Sequence, residues 1–211
     1  EIVEASDVIS MSDQATNALK RKDSSIYKAV ELVRNKEASA VVSAGHSGAT
    51  MTLATLRIGL LPHISKPALA TLMPSVTATK TLVLDVGAVT DCTPQNLYEF
   101  GAMGEAYAQK ILGIASPKVG LLSNGSEDSK GNALTKEAFG LLQDLDGFVG
   151  NVEGRDIFNG TTNVVVCDGF TGNILLKTSE GVVSTIFTLM RQHIRKSLPA
   201  KLGALMMKRK V

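Results

Sequence analysis

The chain has 211 residues and a mass of 22.3 kDa, the size of one domain or of one domain with a modest appendage. Hydrophobic residues make up 44% of it and charged residues 20%, a composition that can bury a core and excludes wholesale disorder. No stretch approaches the roughly 18 consecutive apolar residues that span a bilayer, which excludes a membrane-spanning helix within this sequence. Aromatic residues are 4% of the total and tryptophan is absent, which argues against base-stacking platforms and against nucleic acid as a partner.

The cysteine content and the chain ends give two further expectations. Cys92 and Cys167 are too few for a disulfide framework or a zinc cluster, so we expect a reducing, cytoplasmic location. The chain starts at Glu1 rather than at methionine and stops directly after a basic run. We therefore expect a fragment of a longer protein.

The net charge of +2 hides an asymmetry along the chain. From Arg191 to the end there are seven basic residues and no acidic ones, so the first 190 residues hold 15 basic and 20 acidic residues and a net charge of −5. A cationic end of this kind meets an anionic surface such as phospholipid headgroups or an acidic protein, or it is simply a solvated helix face.

The predicted elements begin with a mainly helical segment over the first 36 residues. Ile26, Ala29, Val30 and Val33 form one apolar stripe at helical spacing, which is typical of a core-facing helix.

From residue 39 onward, predicted strands alternate with predicted helices. Short apolar runs bounded by glycine turns predict strands, and apolar residues three or four apart predict helices. In chain order these are a strand at 39–43, a helix from Ser47 through Ile58, strands at 67–73 and 81–86, a helix from Pro94 to Gly113, a strand at 118–122, a helix at 134–145, strands at 147–150 and 163–167, and a long helix after Gly172. Such alternation indicates an α/β fold with a mostly parallel sheet and helices on both faces. We predict a single α/β domain over 1–211, with 197–211 as a basic amphipathic extension.

Polar, glycine-containing loops follow five of the predicted strands. They are residues 43–49, 85–88, 123–132, 151–156 and 168–173. Ligands of open parallel sheets bind at the carboxyl ends of the strands. Glycines let backbone N–H groups approach an oxyanion closely, and helix N-termini favour negative charge. The sequence therefore predicts a wide crevice for a phosphate-bearing ligand.

Each of these motifs, considered alone, also has a purely structural explanation. The turn at 45–48 lacks the Gly-Lys-Ser/Thr of a Walker loop, and no Gly-x-Gly-x-x-Gly is present, so no dinucleotide cofactor is predicted. Asp85 and Asp168 each end a strand and could merely cap loops. Neither cysteine has a histidine or lysine near it in sequence, so no thiolate nucleophile is predicted.

The three histidines are scattered without metal-ligand spacing, so no metal site is predicted. His46 lies in a glycine turn and could contact a ligand, whereas His63 and His193 fit surface positions.

At these motifs the sequence resembles the bacterial phosphate acyltransferase family of phospholipid synthesis. The resemblance rests on KRKDSS (20–25), SAGHSGA (43–49), KPALA (66–70), VLDVGA (83–88), SPKVGLL (116–122), GSEDSKGN (125–132), GNVEGRD (150–156) and DGFTGNILLKT (168–178). The sequence departs from the commoner family pattern at His46-Ser47, at Val89 and at Ser123-Asn124. The family's opening and closing segments have no counterpart among these residues.

The resemblance implies transfer of a fatty acyl group from acyl carrier protein to inorganic phosphate, which gives acyl phosphate, with no cofactor. It also implies a three-layer fold like those of isocitrate and isopropylmalate dehydrogenases and of phosphate acetyltransferases, usually as a homodimer. Phosphate at neutral pH is already a nucleophile, so the reaction needs positioning and donors for the developing oxyanion rather than a serine or cysteine nucleophile.

Candidate roles follow from the resemblance and from residue chemistry. We expect the catalytic groups to be Asn173, Asn124 and Lys130, with the two asparagines donating to the thioester oxyanion. The phosphate cradle is expected from the backbone around Gly45, His46, Ser47 and Gly48 and around Gly169, Thr171 and Gly172, with the Ser47 and Thr171 hydroxyls and Lys130 assisting. Supporting positions in the substrate site are Asp85, Gly87, Glu127, Asp156 and Asp168, whose carboxylates would orient lysines, amides or loop backbone. Lys177 could reach phosphate or be an ordinary solvent lysine.

The C-terminal extension has the pattern of an amphipathic interfacial helix. Its apolar residues recur at helical spacing among lysines, and the expected membrane contacts are Leu202, Leu205, Met206, Lys201 and Lys208. This predicts a cytoplasmic protein peripherally associated with anionic membrane. The alternative is that the leucines lie in a dimer interface and the lysines meet the acidic carrier protein.

Two rival functions use the same architecture. One is a dehydrogenase or an acetyl-phosphate-forming relative. The other is a noncatalytic anion-binding scaffold held at the membrane.

Overall fold

A computed structural model of the protein describes residues 1–77 and 79–207. Lys208 lies outside the described residues, and so does the side chain of Leu205. The helices in chain order are a 3-10 helix at Ala15–Lys20, α1 (Ser25–Arg34), α2 (Ser47–Leu53), a π-helix at Ala54–Ile58, α3 (Pro94–Lys110), α4 (Ala133–Leu142), α5 (Asp156–Asn159), α6 (Gly169–Lys196) and α7 (Leu198–Met207). The strands are β1 (Ala70–Pro74), β2 (Lys80–Leu84), β3 (Val119–Leu122), β4 (Phe148–Val152) and β5 (Val164–Val166).

The described residues form one five-stranded sheet in the order β1-β2-β5-β3-β4. β1 runs antiparallel to β2, whereas β2, β5, β3 and β4 are parallel to their neighbours. The mostly parallel sheet predicted from the sequence is therefore confirmed. β5, the last strand in the chain, lies in the middle of the sheet, which brings its carboxyl end between those of β2 and β3.

Both faces of the sheet are covered, which is why its strands are apolar at consecutive positions. On one face, Leu82, Val119 and Val164 pack with Phe100 of α3 and Leu142 of α4. On the other face, a second cluster joins alternate strand residues to α5 and to the first turns of α6. Its members include Val83, Val152, Val165, Ile157, Leu175 and Leu176.

A third apolar cluster lies among the N-terminal helices. Ile26 and Val30 of α1 are buried there with Ala49 and Leu53 of α2, as the predicted stripe requires. The predicted single domain over 1–211 stays a prediction.

The predicted strand at 39–43 is wrong. In the part of the chain that the structure describes, no strand pairs with this segment, and the Val42 side chain is 97% exposed. A strand needs a neighbour to accept and donate its backbone hydrogen bonds, and a short apolar run without one stays irregular. The apolar residues face a groove beside α2 instead.

The start of α6 differs from the sequence prediction. The helix begins at Gly169, four residues before its predicted start after Gly172, because Asp168 serves as its N-cap.

None of the helices in the described ranges has the length and apolarity needed to cross a bilayer.

α3 packs closely on the sheet because residue 104 is glycine and has no side chain. A Cβ built there would lie 2.5 Å from Val164 Cγ1 and 2.7 Å from Leu84 Cδ1. We expect Gly104→Ala to lower the free energy of unfolding by about 1–3 kcal/mol through overpacking. Gly140→Ala on α4 is the matched control, since nothing lies within 4 Å of its built Cβ and the helix gains about 1 kcal/mol of propensity. Urea unfolding of both variants measures the difference, and equal stability of the two would contradict this account of α3 packing.

Candidate active site

A crevice opens at the carboxyl edge of the sheet between β3 and β5. β3 leads through α4 to β4 at the sheet edge, whereas β5 leads into α6, which contacts β2 on the opposite side. The loops after these two neighbouring strands therefore run in opposite directions and leave a gap between them. Open α/β sheets bind ligands at such a gap. A cavity of about 440 Å³ lies in the gap. Its wall includes Ser123, Asn124, Asn132, Thr135, Asp168 and Thr171.

The N-termini of two helices border this crevice. Asn132 caps α4 by accepting a hydrogen bond from the Thr135 N–H at 2.9 Å. Asp168 caps α6 by accepting from the Thr171 N–H at 2.9 Å and from the Thr171 hydroxyl at 2.7 Å. Helix N-termini carry partial positive charge and suit an anionic guest.

The Asp85 carboxylate fixes the loop after β2. Its Oδ1 accepts from the N–H groups of Leu69, Gly87 and Ala88, and its Oδ2 accepts from those of Ala88 and Val89, at 2.7–3.0 Å. Asp85 is fully buried. The carboxylate is therefore occupied by loop backbone, in keeping with the orienting role expected for it.

The first turn of α6 packs against this loop through two glycines. A Cβ built on Gly172 would lie 1.8 Å from the Asp85 carbonyl oxygen, and one on Gly169 would lie 2.6 Å from the Val89 carbonyl oxygen. The Gly169 N–H donates to that Val89 oxygen at 2.8 Å. Gly169 and Gly172 therefore allow α6 to approach the loop closely. Their role in cradling phosphate stays a prediction.

Asn173 lies where the helix meets the loop. A Cβ built on Gly87 would lie 3.7 Å from Asn173 Oδ1, and the asparagine side chain is exposed. Gly87 has a φ of +138°, a conformation that side chains other than glycine rarely adopt. Space beside Asn173 would admit a Cβ, so it is the positive φ that favours glycine at this position.

The loop from 123 to 132 carries three of the predicted site residues. Asn124 Oδ1 accepts from the Gly131 N–H at 2.8 Å and closes the loop. The side chains of Glu127 and Lys130 both lie over Gly125, within 3.2 Å of a Cβ built there. Lys130 is exposed next to the crevice wall at Gly131.

The structure places the residues of the 45–48 turn in a different cavity. Gly45 and Ser47 line a groove beside α2. His46 is the N-cap of α2, with Nδ1 accepting from the Ala49 N–H at 3.2 Å and Nε2 paired with the Asp13 carbonyl oxygen at 2.9 Å. A Cβ built on Gly48 would lie 3.1 Å from the His46 ring. The five predicted loops thus do not form one crevice.

Two further predicted residues are engaged in local contacts. The Asp156 carboxylate accepts from the Glu153 N–H and from Asn159 Nδ2, both at 2.8 Å, which fixes the start of α5. Lys177 Nζ pairs with Glu180 at 2.9 Å on the exposed side of α6. A phosphate contact by Lys177 stays a prediction.

Neither cysteine behaves as a thiolate. Burial, reinforced by nearby carboxylates, raises the pKa of Cys92 to about 11. Burial also raises the pKa of Cys167 well above its usual range. Both thiols are protonated at neutral pH. Cys92 lies half-buried in the loop before α3, and Cys167 is buried directly after β5.

Sequence reasoning missed several residues that build the site. Asn132 precedes an apolar run at helical spacing, a capping signal that could have identified it. Glu99 gave no such signal, because its role depends on contacts across the fold. Its carboxylate accepts from the Ser65 N–H at 2.8 Å and from the Ser65 hydroxyl at 2.7 Å, which anchors the loop before β1 to α3. Within the two described stretches, no three His, Cys, Asp or Glu side chains are grouped as metal ligands would be.

The fold is an α/β fold of the kind found in phosphotransacetylases. The structure is similar to the EutD phosphotransacetylase from Staphylococcus aureus, with a TM-score of 0.59 and 20% sequence identity over 77% of this chain and 56% of that chain. It is also similar to a phosphotransacetylase from Streptococcus pyogenes, with a TM-score of 0.56 and 25% identity over 75% of this chain and 55% of that chain.

Sequence comparison identifies the family. Residues 1–211 match the family described as fatty acid synthesis protein, and the chain belongs to that family. The protein named phosphate acyltransferase from a Sulfurovum species is 84% identical over 211 residues, which is 100% of this chain and 64% of that protein. The protein of the same name from a Nitratiruptor species is 64% identical over 209 residues, 99% of this chain and 63% of that protein. The chain thus spans somewhat less than two thirds of these relatives.

The buried carboxylate of Asp85 offers a direct test of how the site loop is held. We expect Asp85→Asn to lower the free energy of unfolding by about 1.5–3 kcal/mol or more, because an amide NH₂ would face backbone donors that now bond to a charged acceptor. Asp91→Asn, an exposed change in the adjacent loop, should stay within about 0.5 kcal/mol of wild type. Chemical denaturation compares them. Wild-type stability of Asp85→Asn would show that the loop does not depend on the carboxylate.

Proposed function

We propose that the protein transfers a fatty acyl group from acyl carrier protein to inorganic phosphate and forms acyl phosphate for phospholipid synthesis. The observation that carries the proposal is the crevice between the N-termini of α4 and α6, whose walls supply amide, hydroxyl and backbone groups suited to phosphate. Family membership supports it, as does the name phosphate acyltransferase borne by relatives that match the whole chain.

The proposed reaction needs no enzyme nucleophile. Hydrogen phosphate attacks the thioester carbonyl carbon, the carbon–sulfur bond breaks, and the proton of the phosphate ends on the departing thiolate of the carrier. The raised pKa values of both cysteines fit this direct route, because neither thiol is available as a thiolate. Rate then depends on positioning phosphate and on stabilising the oxyanion.

Charge balance in the crevice gives Lys130 its proposed role. The Asp168 carboxylate lies in the crevice wall, so a phosphate dianion there needs a compensating cation. Lys130 is exposed in the adjacent loop, and its flexible side chain suits a phosphate contact as a point charge. Asn124 uses its Oδ1 to close the same loop, which leaves its Nδ2–H₂ group as the donor that could reach a ligand.

The test of function is formation of acyl phosphate by the full-length protein from long-chain acyl carrier protein and phosphate, trapped with hydroxylamine. Asn173→Ala should lower turnover by at least about tenfold, because it removes an oxyanion donor from the junction of α6 and the 85–89 loop. Asn17→Ala, at an exposed position of the 3-10 helix, is a control of the same type that should retain turnover. A full-length protein that forms no acyl hydroxamate would favour the scaffold alternative, and near-normal turnover of Asn173→Ala would remove this residue from the site.

The apolar residues of α6 support the proposed homodimer. Beyond its first turns this helix is exposed over nearly its whole length, and it carries a row of apolar side chains about half exposed. The row comprises Val182, Val183, Ile186, Phe187, Leu189 and Met190. A patch of this kind is typical of a protein interface, and we propose that a second copy of the chain covers it.

The last helix supports a peripheral membrane contact. Leu202 and Met206 of α7 are 63% and 75% exposed, Lys201 is exposed next to Leu202, and no acidic residue follows Arg191. An apolar helix face flanked by lysines lies in the membrane interface, and each basic residue near an anionic surface adds about 1 kcal/mol.

Liposome flotation of the full-length protein tests this contact. Binding should require anionic lipid, weaken with salt and fall several-fold in Leu202→Glu, because the glutamate places charge on the inserted face. Ile111→Glu, at a site 66% exposed on the end of α3, is the matched control and should float as wild type does. Equal flotation with neutral lipid, or none at low salt, would leave the acidic carrier protein as the better partner for the basic end.

A further inference from the structure

An apolar groove runs between the α2–π-helix segment and the chain that leads into β1. It consists of two adjoining cavities of about 610 and 490 Å³, each within the size range of about 300–1,000 Å³ typical of small-molecule sites. The cavities share the wall residues Met51, Thr55, Leu60 and Pro67, so they form one continuous groove. These four shared residues form the junction of the two cavities, and none of them has a proposed catalytic or phosphate-binding role.

The groove has a polarity along its length. None of the residues that line the larger cavity is charged, and Val41 and Val42 line this cavity but not the smaller one. Charged side chains enter the wall only in the smaller cavity, at Lys66 and Asp91. A guest that fits this pattern is a hydrocarbon chain with a polar group at one end.

The charged end of the groove meets the proposed active site. The smaller cavity is lined by Ala88 and Val89 of the loop that Asp85 holds. The Val89 carbonyl accepts from the Gly169 N–H at the start of α6, and Gly87 of the same loop lies beside Asn173. A chain lying in the groove would therefore present its polar end to the loop beside Asn173, the proposed oxyanion donor.

Both walls of the groove are held from outside it. Arg57 of the π-helix pairs with Glu31 of α1 at 2.6 and 3.0 Å, which fixes one wall to the N-terminal helices. Ser65 is fixed to α3 by Glu99 and by a hydrogen bond of 2.8 Å from Asn96 Nδ2, which holds the other wall. A pre-formed apolar cleft binds a flexible chain without having to order its own walls.

We propose that this groove holds the hydrocarbon tail of the acyl donor, and that Thr55 and Met51 at its junction set the accepted chain length. The proposal rests on the proposed function for the identity of the donor. The tail extends past Leu60 toward Val42, and the thioester lies at the 87–89 loop.

The test compares chain lengths in the full-length protein. Thr55→Phe narrows the junction, so it should lower the ratio of kcat/KM for palmitoyl over butyryl carrier protein by about tenfold or more, since excluding about two buried methylene groups has that effect. The apparent KM for phosphate should change little. Ala106→Phe on the exposed face of α3 makes a similar small-to-large substitution outside the groove and should keep the wild-type ratio.

A binding measurement separates this proposal from the proposed function. A fluorescent long-chain fatty acid should bind the wild-type protein and bind several-fold more weakly to Thr55→Phe and to Leu60→Gln. Leu60 is 40% exposed, so its polar variant should fold even if the bulky one does not. A protein that binds the probe in the groove but makes no acyl phosphate overturns the function alone. If both variants keep the wild-type chain-length ratio and the wild-type probe affinity, the groove does not hold the hydrocarbon tail. The proposal is also overturned if a second copy of the chain covers the groove and keeps the probe out.

Discussion

The Asp85 carboxylate joins two separate segments of the chain by accepting hydrogen bonds from their backbone N–H groups. One oxygen binds the chain as it enters β1, and both bind the loop that follows β2. A buried carboxylate is stable only when its charge is met by donors, and here backbone donors alone meet it. With the loop fixed in this way, the first turn of α6 can approach it closely enough to require glycine at 169 and 172.

The first turn of α6 consequently borders two different environments. On the side of β3 it faces the crevice between two helix N-termini, where amide and hydroxyl groups predominate. At the 85–89 loop it meets the end of an apolar groove that runs away toward the N-terminal helices. An anion and a hydrocarbon chain have opposite solvation requirements, and a reaction that joins them needs both kinds of surface at one junction. The first turn of α6 lies between these two surfaces.

The reaction proposed for this site requires no side chain to act as a nucleophile or as a general base. Phosphate is already nucleophilic and a thiolate can leave unaided, so positioning and oxyanion stabilisation carry the rate. This explains why the cysteines near the site can be protonated, and why carboxylates there bond to backbone rather than act as bases. The exposed apolar row of α6 and the basic α7 lie on the part of the chain that follows the site, and we assign them to association with a second copy and with membrane.

The sequence by itself determined the α/β class, five of the six predicted strands and most helices, because apolar runs and helical periodicity report burial directly. It also predicted that Asp168 and the 123–132 loop lie at one edge of the sheet, and both line the same crevice. It could not determine that 39–43 lacks a partner, since pairing depends on which strands lie adjacent in space. The sequence predicted that Gly45–Gly48 and Asn173 line one crevice. In the structure, Gly45 and Ser47 line the apolar groove, and Asn173 lies beside Gly87. Periodicity predicts that a residue is buried or lies at a strand end, but the strand order and the carboxylate of Asp85 decide which strand ends meet.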